Sequence, residues 1–132
     1  MKTFAATVFL AFTATSALAG SHSGASTFQN TCSNSEFQYG SDGSARIAAV
    51  CLKSNVMPNQ TSIAMPPFGN NNGMLEMGGN AATFQMSCGN IMLEAEVDGV
   101  TLYANCRTSI GEFMETSIPV SGINNSDGTL TN

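Results

Sequence analysis

The sequence predicts an all-β fold, built from two tandem copies of one antiparallel unit. Three observations predict it. Apolar and polar residues alternate over paired short runs, Asn-Gly or Asp-Gly pairs separate the runs, and the whole pattern recurs at an offset of 56 and then 55 residues. The recurrence is read directly. Phe28–Cys32 (FQNTC) matches Phe84–Cys88 (FQMSC), Asn34 matches Asn90, and Asp42-Gly43 matches Asp98-Gly99, all 56 apart. The offset then falls to 55, as if one residue were missing between Gly99 and Cys106. Cys51 matches Cys106, Thr61-Ser62-Ile63 matches Thr116-Ser117-Ile118, and Gly73-x-Leu75 matches Gly128-x-Leu130. The copies span roughly 26–80 and 82–132.

The elements follow in order. The stretch before each first cysteine is long enough for a single helical turn. In the second copy Leu93, Ala95 and Val97 alternate with Glu94, Glu96 and Asp98, and Val100, Leu102 and Ala104 alternate with Thr101, Tyr103 and Asn105. Asp98-Gly99 between them predicts a hairpin with one buried and one wet face. The first copy repeats this around Asp42-Gly43, with Ile47 and Ala49 pointing inward. The Thr-Ser-Ile stretches read as short strands. Asn72-Gly73 and Asp127-Gly128 read as further turns, each followed by a short strand. The final ten residues are thus expected to pack beside the core instead of trailing in solvent. Pro66-Pro67 and Pro119 cannot donate to a ladder and belong in loops or at edges. No segment carries a helical period.

The amino terminus reads as a processing signal. Lys2 is followed by a mostly apolar run from Phe4 to Phe12, and Ser16-Ala17-Leu18-Ala19 ends in a small-residue cleavage site. Removal of residues 1–19 leaves one compact domain of 113 residues, 20–132, that is secreted and extracellular. Its three basic residues, Arg46, Lys53 and Arg107, face nine acidic ones, a net charge of −6. So acidic a chain does not attract nucleic acid, and it lacks the basic cluster that holds proteins on anionic membranes. No second apolar stretch provides for membrane insertion.

Cys32, Cys51, Cys88 and Cys106 allow three disulfide pairings by count alone. Each copy holds two cysteines at equal places, so the repeat makes Cys32–Cys51 with Cys88–Cys106 the simplest pairing. Each bridge would close a loop of about 20 residues, worth on the order of 3 kcal/mol in the chain-entropy model. No two cysteines are spaced as a zinc knuckle, and no metal or cofactor is expected.

The order of these parts resembles the cyanovirin-N homology family. FxxxC, a hairpin, a second cysteine, the Thr-Ser-Ile strand and a DG-x-L-like end, all duplicated, cover nearly all of the mature chain. The resemblance implies an elongated, pseudo-twofold all-β lectin without enzymatic activity. It implies mannose-rich oligosaccharide or glycoprotein glycans as partners and a pocket at each end of the domain. One pocket would use Asn30, Thr31, Lys53, Ser54, Asn125 and Asp127. The other would use Asn70, Asn72, Met86, Ser87, Arg107 and Thr108. Each crosses between copies, which gives the final turn its purpose. Leu52 and Met86 stand where the family pattern has acidic residues, and Asn72 where it has Asp.

Such residue types suit a sugar. Asn offers one acceptor and two donors, Asp two acceptors, and Arg a fork of donors, against hydroxyls that both donate and accept. A neutral hydrogen bond nets only about 0.5–1.5 kcal/mol, so a disaccharide or larger arm is needed for useful affinity. The chain has no Trp to stack on a ring, and Asn-Gly and Asp-Gly are turn formers in their own right. A secreted scaffold or effector that keeps the fold without binding sugar is therefore the competing expectation.

Other chemistry finds little support. Glu94, Glu96 and Asp98 share a strand face at a carboxylate-pair spacing, but the first copy has no such set, and a solvated hairpin face accounts for them. His22, the sole histidine, lies beside the cleavage site. Met74, Met77, Met86 and Met92 read as core filler and not as soft-metal ligands. Asn59 and Asn124 head glycosylation sequons. The two similar copies and the Gly78-Gly79-Asn80 linker are compatible with a monomer or a domain-swapped dimer.

Overall fold

A computed structural model describes residues 24–132. The expected cleavage signal at 1–19, and His22, lie outside the described residues. The rest is all-β, with ten strands and two short 3-10 turns. In the first copy a 3-10 turn at Phe28–Asn30 leads into β1 (Cys32–Tyr39), β2 (Ala45–Leu52) and β3 (Pro58–Ala64), an antiparallel sheet in that order. The hairpin β4 (Phe68–Asn71) and β5 (Met74–Met77) follows. The second copy repeats the series. Its 3-10 turn is Phe84–Met86, its sheet is β6 (Cys88–Glu96), β7 (Gly99–Arg107) and β8 (Phe113–Val120), and its hairpin is β9 (Asn124–Ser126) with β10 (Thr129–Thr131).

Each hairpin lies on the other copy's sheet. The strand β10 packs against β3, and β5 packs against β8, while β1 meets β6 between the sheets. The Thr-Ser-Ile and Gly-x-Leu recurrences meet here. The amide of Leu130 donates to Thr61 Oγ1 at 3.2 Å, and that of Leu75 to Thr116 Oγ1 at 3.1 Å. The last ten residues therefore pack beside the core, with Ile123 and Leu130 buried.

One apolar core runs through both copies. Ile47, Ala49 and Cys51 on β2 and Val100, Leu102, Ala104 and Cys106 on β7 point into it, as the alternation predicts. Phe28 and Phe84, from the two 3-10 turns, are fully buried, and Phe84 packs edge-on against Phe68 and Phe37. Burying one such ring contributes about 2–3 kcal/mol, so each turn anchors the start of its first strand. Cys32 faces Cys51 and Cys88 faces Cys106 across adjacent strands, and both pairs are disulfide-bonded. Pro66-Pro67 falls in the β3–β4 connection and Pro119 on β8, at the end of its three-strand sheet.

Three details depart from the sequence expectation. The second hairpin turns at Val97-Asp98, because Glu96 pairs with Gly99, which opens β7. In the first copy Tyr39 pairs with Ala45, leaving a five-residue loop, 40–44, around Asp42-Gly43. The one-residue slip in the repeat is absorbed here: the second copy shortens the loop and lengthens both flanking strands. Second, Ala95 and Val97 are exposed, Val97 almost wholly. The tip of β6 overhangs the core, so alternation there continues without anything to bury against. Third, Met74, Met77, Met86 and Met92 are exposed, not core filler. They sit on hairpin strands, a 3-10 turn and an outer sheet face, while Met65 is buried. Among the described residues no helix is long and apolar enough to cross a membrane.

Candidate functional site

The turns at Asn72-Gly73 and Asp127-Gly128 each have positive φ at both residues, 52° and 91° in one, 50° and 88° in the other. This is the pattern of two-residue hairpin turns that favours Asn-Gly and Asp-Gly. The glycines also permit close approach. A Cβ at position 128 would lie 2.8 Å from Lys53 Cγ, and one at 73 would lie 2.8 Å from Thr108 Cγ2. Each turn is thereby pressed onto the segment that follows the second cysteine of the opposite copy.

An asparagine clamps each turn. Asn125 Nδ2 donates to Thr31 Oγ1 at 2.8 Å and to the Leu52 carbonyl at 2.9 Å, and its Oδ1 accepts from the Gly128 amide at 2.8 Å. Asn70 repeats this: Nδ2 donates to Ser87 Oγ and to the Arg107 carbonyl, both at 2.9 Å, and Oδ1 accepts from Gly73 at 2.8 Å. Both donors of each amide are occupied by the protein, so Asn70 and Asn125 fix the site's geometry more than they address a ligand. The turn residues then close the arrangement. Asp127 Oδ1 accepts from the Ser54 amide at 2.8 Å, and Asn72 Oδ1 from the Ser109 amide at 2.9 Å.

Thr31 is thus joined to Asn125 and Ser54 to Asp127, with Lys53 against the turn. Asn30 is exposed one residue before Thr31 and makes no side-chain bond to that turn. At the other site Asn70, Ser87 and the Arg107 backbone are joined, Asn72 holds Ser109, and Thr108 lies against Gly73. Met86 ends the 3-10 turn, 76% exposed. Ser109 was missed by the sequence reading, although an offset of 55 from Ser54 points to it.

The two sites differ in charge. One presents the Asp127 carboxylate and the Lys53 ammonium beside the exposed Leu52. The other has the neutral Asn72 in place of Asp127 and the exposed Arg107 in place of Leu52. Among the described residues neither the Arg107 guanidinium nor Asn72 Nδ2 has a protein hydrogen-bond partner. The Ser54 backbone N–H, then its hydroxyl and the Lys53 charge, hold the Asp127 carboxyl below its ordinary value. A depressed carboxylate favours the folded turn above the unfolded aspartate value, near 4, and that contribution is lost as pH falls through the lower folded value. Acidification from roughly pH 5 to pH 2 should therefore move the Ser54 amide resonance and leave that of Ser109, held by the non-titrating Asn72, in place. Equal movement of both would refute the assignment.

The sequons are also separated by these contacts. Asn59 Nδ2 donates to the Gly128 carbonyl at 2.8 Å in a partly buried position, whereas Asn124 is exposed and accepts from Thr27 Oγ1. A glycan on Asn59 would break the bond beneath the final turn. Expression through a eukaryotic secretory pathway should give a glycan at Asn124 and none at Asn59, read by peptide mass spectrometry.

Two open depressions lie elsewhere, on the outer sheet faces. One of about 770 Å3 covers β6–β7–β8 and one of about 690 Å3 covers β1–β2–β3. Volume alone does not locate recognition, and the crossing clamps are the more specific feature.

The CVNH domain pattern matches residues 25–131, and the chain belongs to that family. Among solved structures, microvirin in complex with mannobiose is 30% identical, covering 80% of this chain and 96% of that one, with a TM-score of 0.58. The CVNH protein of Gibberella zeae is 25% identical over 80% of this chain and 95% of its own, TM-score 0.56. The CVNH protein of T. borchii, 23% identical over 80% and 97%, has a TM-score of 0.62 and supports the fold. No curated protein sequence matches the chain.

Proposed function

We propose that the protein is a secreted, non-enzymatic lectin that binds mannose-rich glycans at the two turn sites. The observation that carries this reading is the pair of crossing clamps. Each assembles a rigid rim of hydroxyl, amide and charged groups from both copies, in a chain whose relative microvirin is held with mannobiose. In this reading residues 1–19 are removed, residues 20–132 act as one domain, and the Arg107 site is dominant. Arg107 contributes charge-assisted hydrogen bonds, while a glycan on Asn124 would crowd Asn125 and Asp127. Glycan-array binding of the mature protein tests this. Binding to mannose-terminated glycans should weaken about 10- to 100-fold in Arg107→Ala, the scale of one or two charge-assisted bonds, and less in Asp127→Ala. A silent array would favour the second reading, a secreted scaffold that has lost sugar binding. The departures at Leu52, Met86 and Asn72 are what recommend that alternative.

A further inference from the structure

The outer faces of the two sheets share a backbone and differ in chemistry. On β6–β7–β8, Tyr103 stands in the centre of the 770 Å3 depression, with Met92 opposite it on β6 and Ser117 opposite it on β8. Glu94 faces Thr101 and Glu115 faces Asn105, so the two carboxylates lie diagonally on either side of the phenol ring. Strand geometry separates their Cα atoms by about 16 Å. On β1–β2–β3 the same register positions hold Ala48 for Tyr103, Gln38 for Glu94 and Gln60 for Glu115. That face is neutral, since Arg46, bonded to Ser62, offsets Glu36. The same register therefore carries a ring and unbalanced carboxylates in one copy, and neither in the other.

We propose that the β6–β7–β8 face binds a short amine-bearing oligosaccharide, a protonated hexosamine oligomer, across Tyr103 between Glu94 and Glu115. Tyr103 is 38% exposed and Met92 55%, so an apolar floor is available for the ring face of a sugar. A cation above an aromatic ring is attracted by its quadrupole, and carboxylates form charge-assisted bonds with ammonium groups. Asn105 and Ser117 supply neutral partners for hydroxyls. Partial burial, then the charges of Glu94 and Glu96 and a hydrogen bond with Glu94, hold the Tyr103 phenol above its ordinary value. A basic peptide is the rival occupant for the same charge. β1 lies near β6 and β5 near β8, and Pro119 removes a backbone donor from the edge strand β8, so an extended peptide finds a poor edge to pair with. A ligand that lies flat on the face needs none.

The proposal is independent of the turn sites, and its test uses a charge switch on one skeleton. A glucosamine tetramer and its fully N-acetylated counterpart are titrated into the protein at low and high salt. The fluorescence of Tyr103 is followed in a Tyr39→Phe background, which leaves it the sole reporter in a mature chain without tryptophan. The charged tetramer should bind at least about tenfold more tightly than the acetylated one, and salt should narrow that gap. The variant Glu94→Gln/Glu115→Gln restores the amides that the first copy carries on the same backbone. It should erase the preference and leave mannobiose titration at the turn sites unchanged. Tyr103→Ala, followed by calorimetry, should weaken the charged tetramer about tenfold. Equal binding of the two tetramers, no binding of the charged one, or a tetralysine probe binding as tightly as the amine sugar would each overturn the proposal. None of these results touches the mannose reading, which the mannobiose titration reports separately.

Discussion

Replacing Asn125 with alanine should disable one turn site and leave the other intact. The side chain makes three hydrogen bonds, to Thr31 Oγ1, the Leu52 carbonyl and the Gly128 amide. Its loss leaves those partners under-satisfied beside a partly buried turn. At roughly 1 kcal/mol for each bond, the expected destabilisation is about 2–3 kcal/mol, read from the midpoint of urea unfolding. The consequence for binding is larger than the number suggests. Asp127 reaches Ser54 only while the final turn is pinned, so the rim loses its geometry along with one group. Asn70→Ala should mirror this at Ser87, Arg107 and Gly73. Asn125→Asp is the sharper control: it preserves volume but aims an acceptor at the Leu52 carbonyl, and should cost at least as much as alanine. If each alanine variant weakened both sites equally, the clamps would be ordinary contributors to stability and the two-site description would fail.

Much of this arrangement is legible in the sequence, for a physical reason. The repeat survives where an atom of one copy needs its counterpart in the other. Thr61 and Thr116 recur because each hydroxyl receives a leucine amide from the opposite hairpin. Gly73 and Gly128 recur because a Cβ would strike the facing segment. Alternation on β2 and β7 is readable because those central strands face the core along their whole length. What was not readable depends on where a strand stops having a neighbour. Ala95 and Val97 keep the rhythm past the edge of the core, and the four surface methionines are apolar at positions the fold leaves wet. The turn at Val97-Asp98 was hidden because Asp98-Gly99 is a strong local signal. Only the register, with its bulges between Ser33 and Glu36 and between Gly89 and Met92, decides which residues cap the hairpin. The candidate site was read in part. The residues that meet were named, apart from Ser109, but that Asn70 and Asn125 spend their amides within the protein is visible only in three dimensions.

The same register that places the clamps makes the disulfides the other large lever. Each bridge joins directly facing residues on adjacent strands and closes a loop of 19 or 18 residues. Removing one by a Cys88→Ala/Cys106→Ala pair should cost about 3 kcal/mol through loop entropy, a drop in melting temperature of roughly 10–15 °C. Removing both should cost about twice that, a large share of the roughly 5–15 kcal/mol that holds a domain of this size, and thermal denaturation should show most of the cooperative transition gone. The effect on function should be local before it is global. Beside Cys51 the Leu52 amide donates to the Thr31 carbonyl at 3.0 Å, and beside Cys106 the Arg107 amide donates to the Ser87 carbonyl at 3.0 Å. Those same residues receive the Asn125 and Asn70 clamps, so each bridge holds the floor on which one turn rests. Loss of Cys88–Cys106 should therefore weaken the Arg107 site at temperatures where the domain is still folded, and leave the Asp127 site close to wild type. A double-bridge variant that melts within a few degrees of wild type would show that burial of Phe28, Phe68 and Phe84 alone suffices, and that the bridges position the sites without holding the fold.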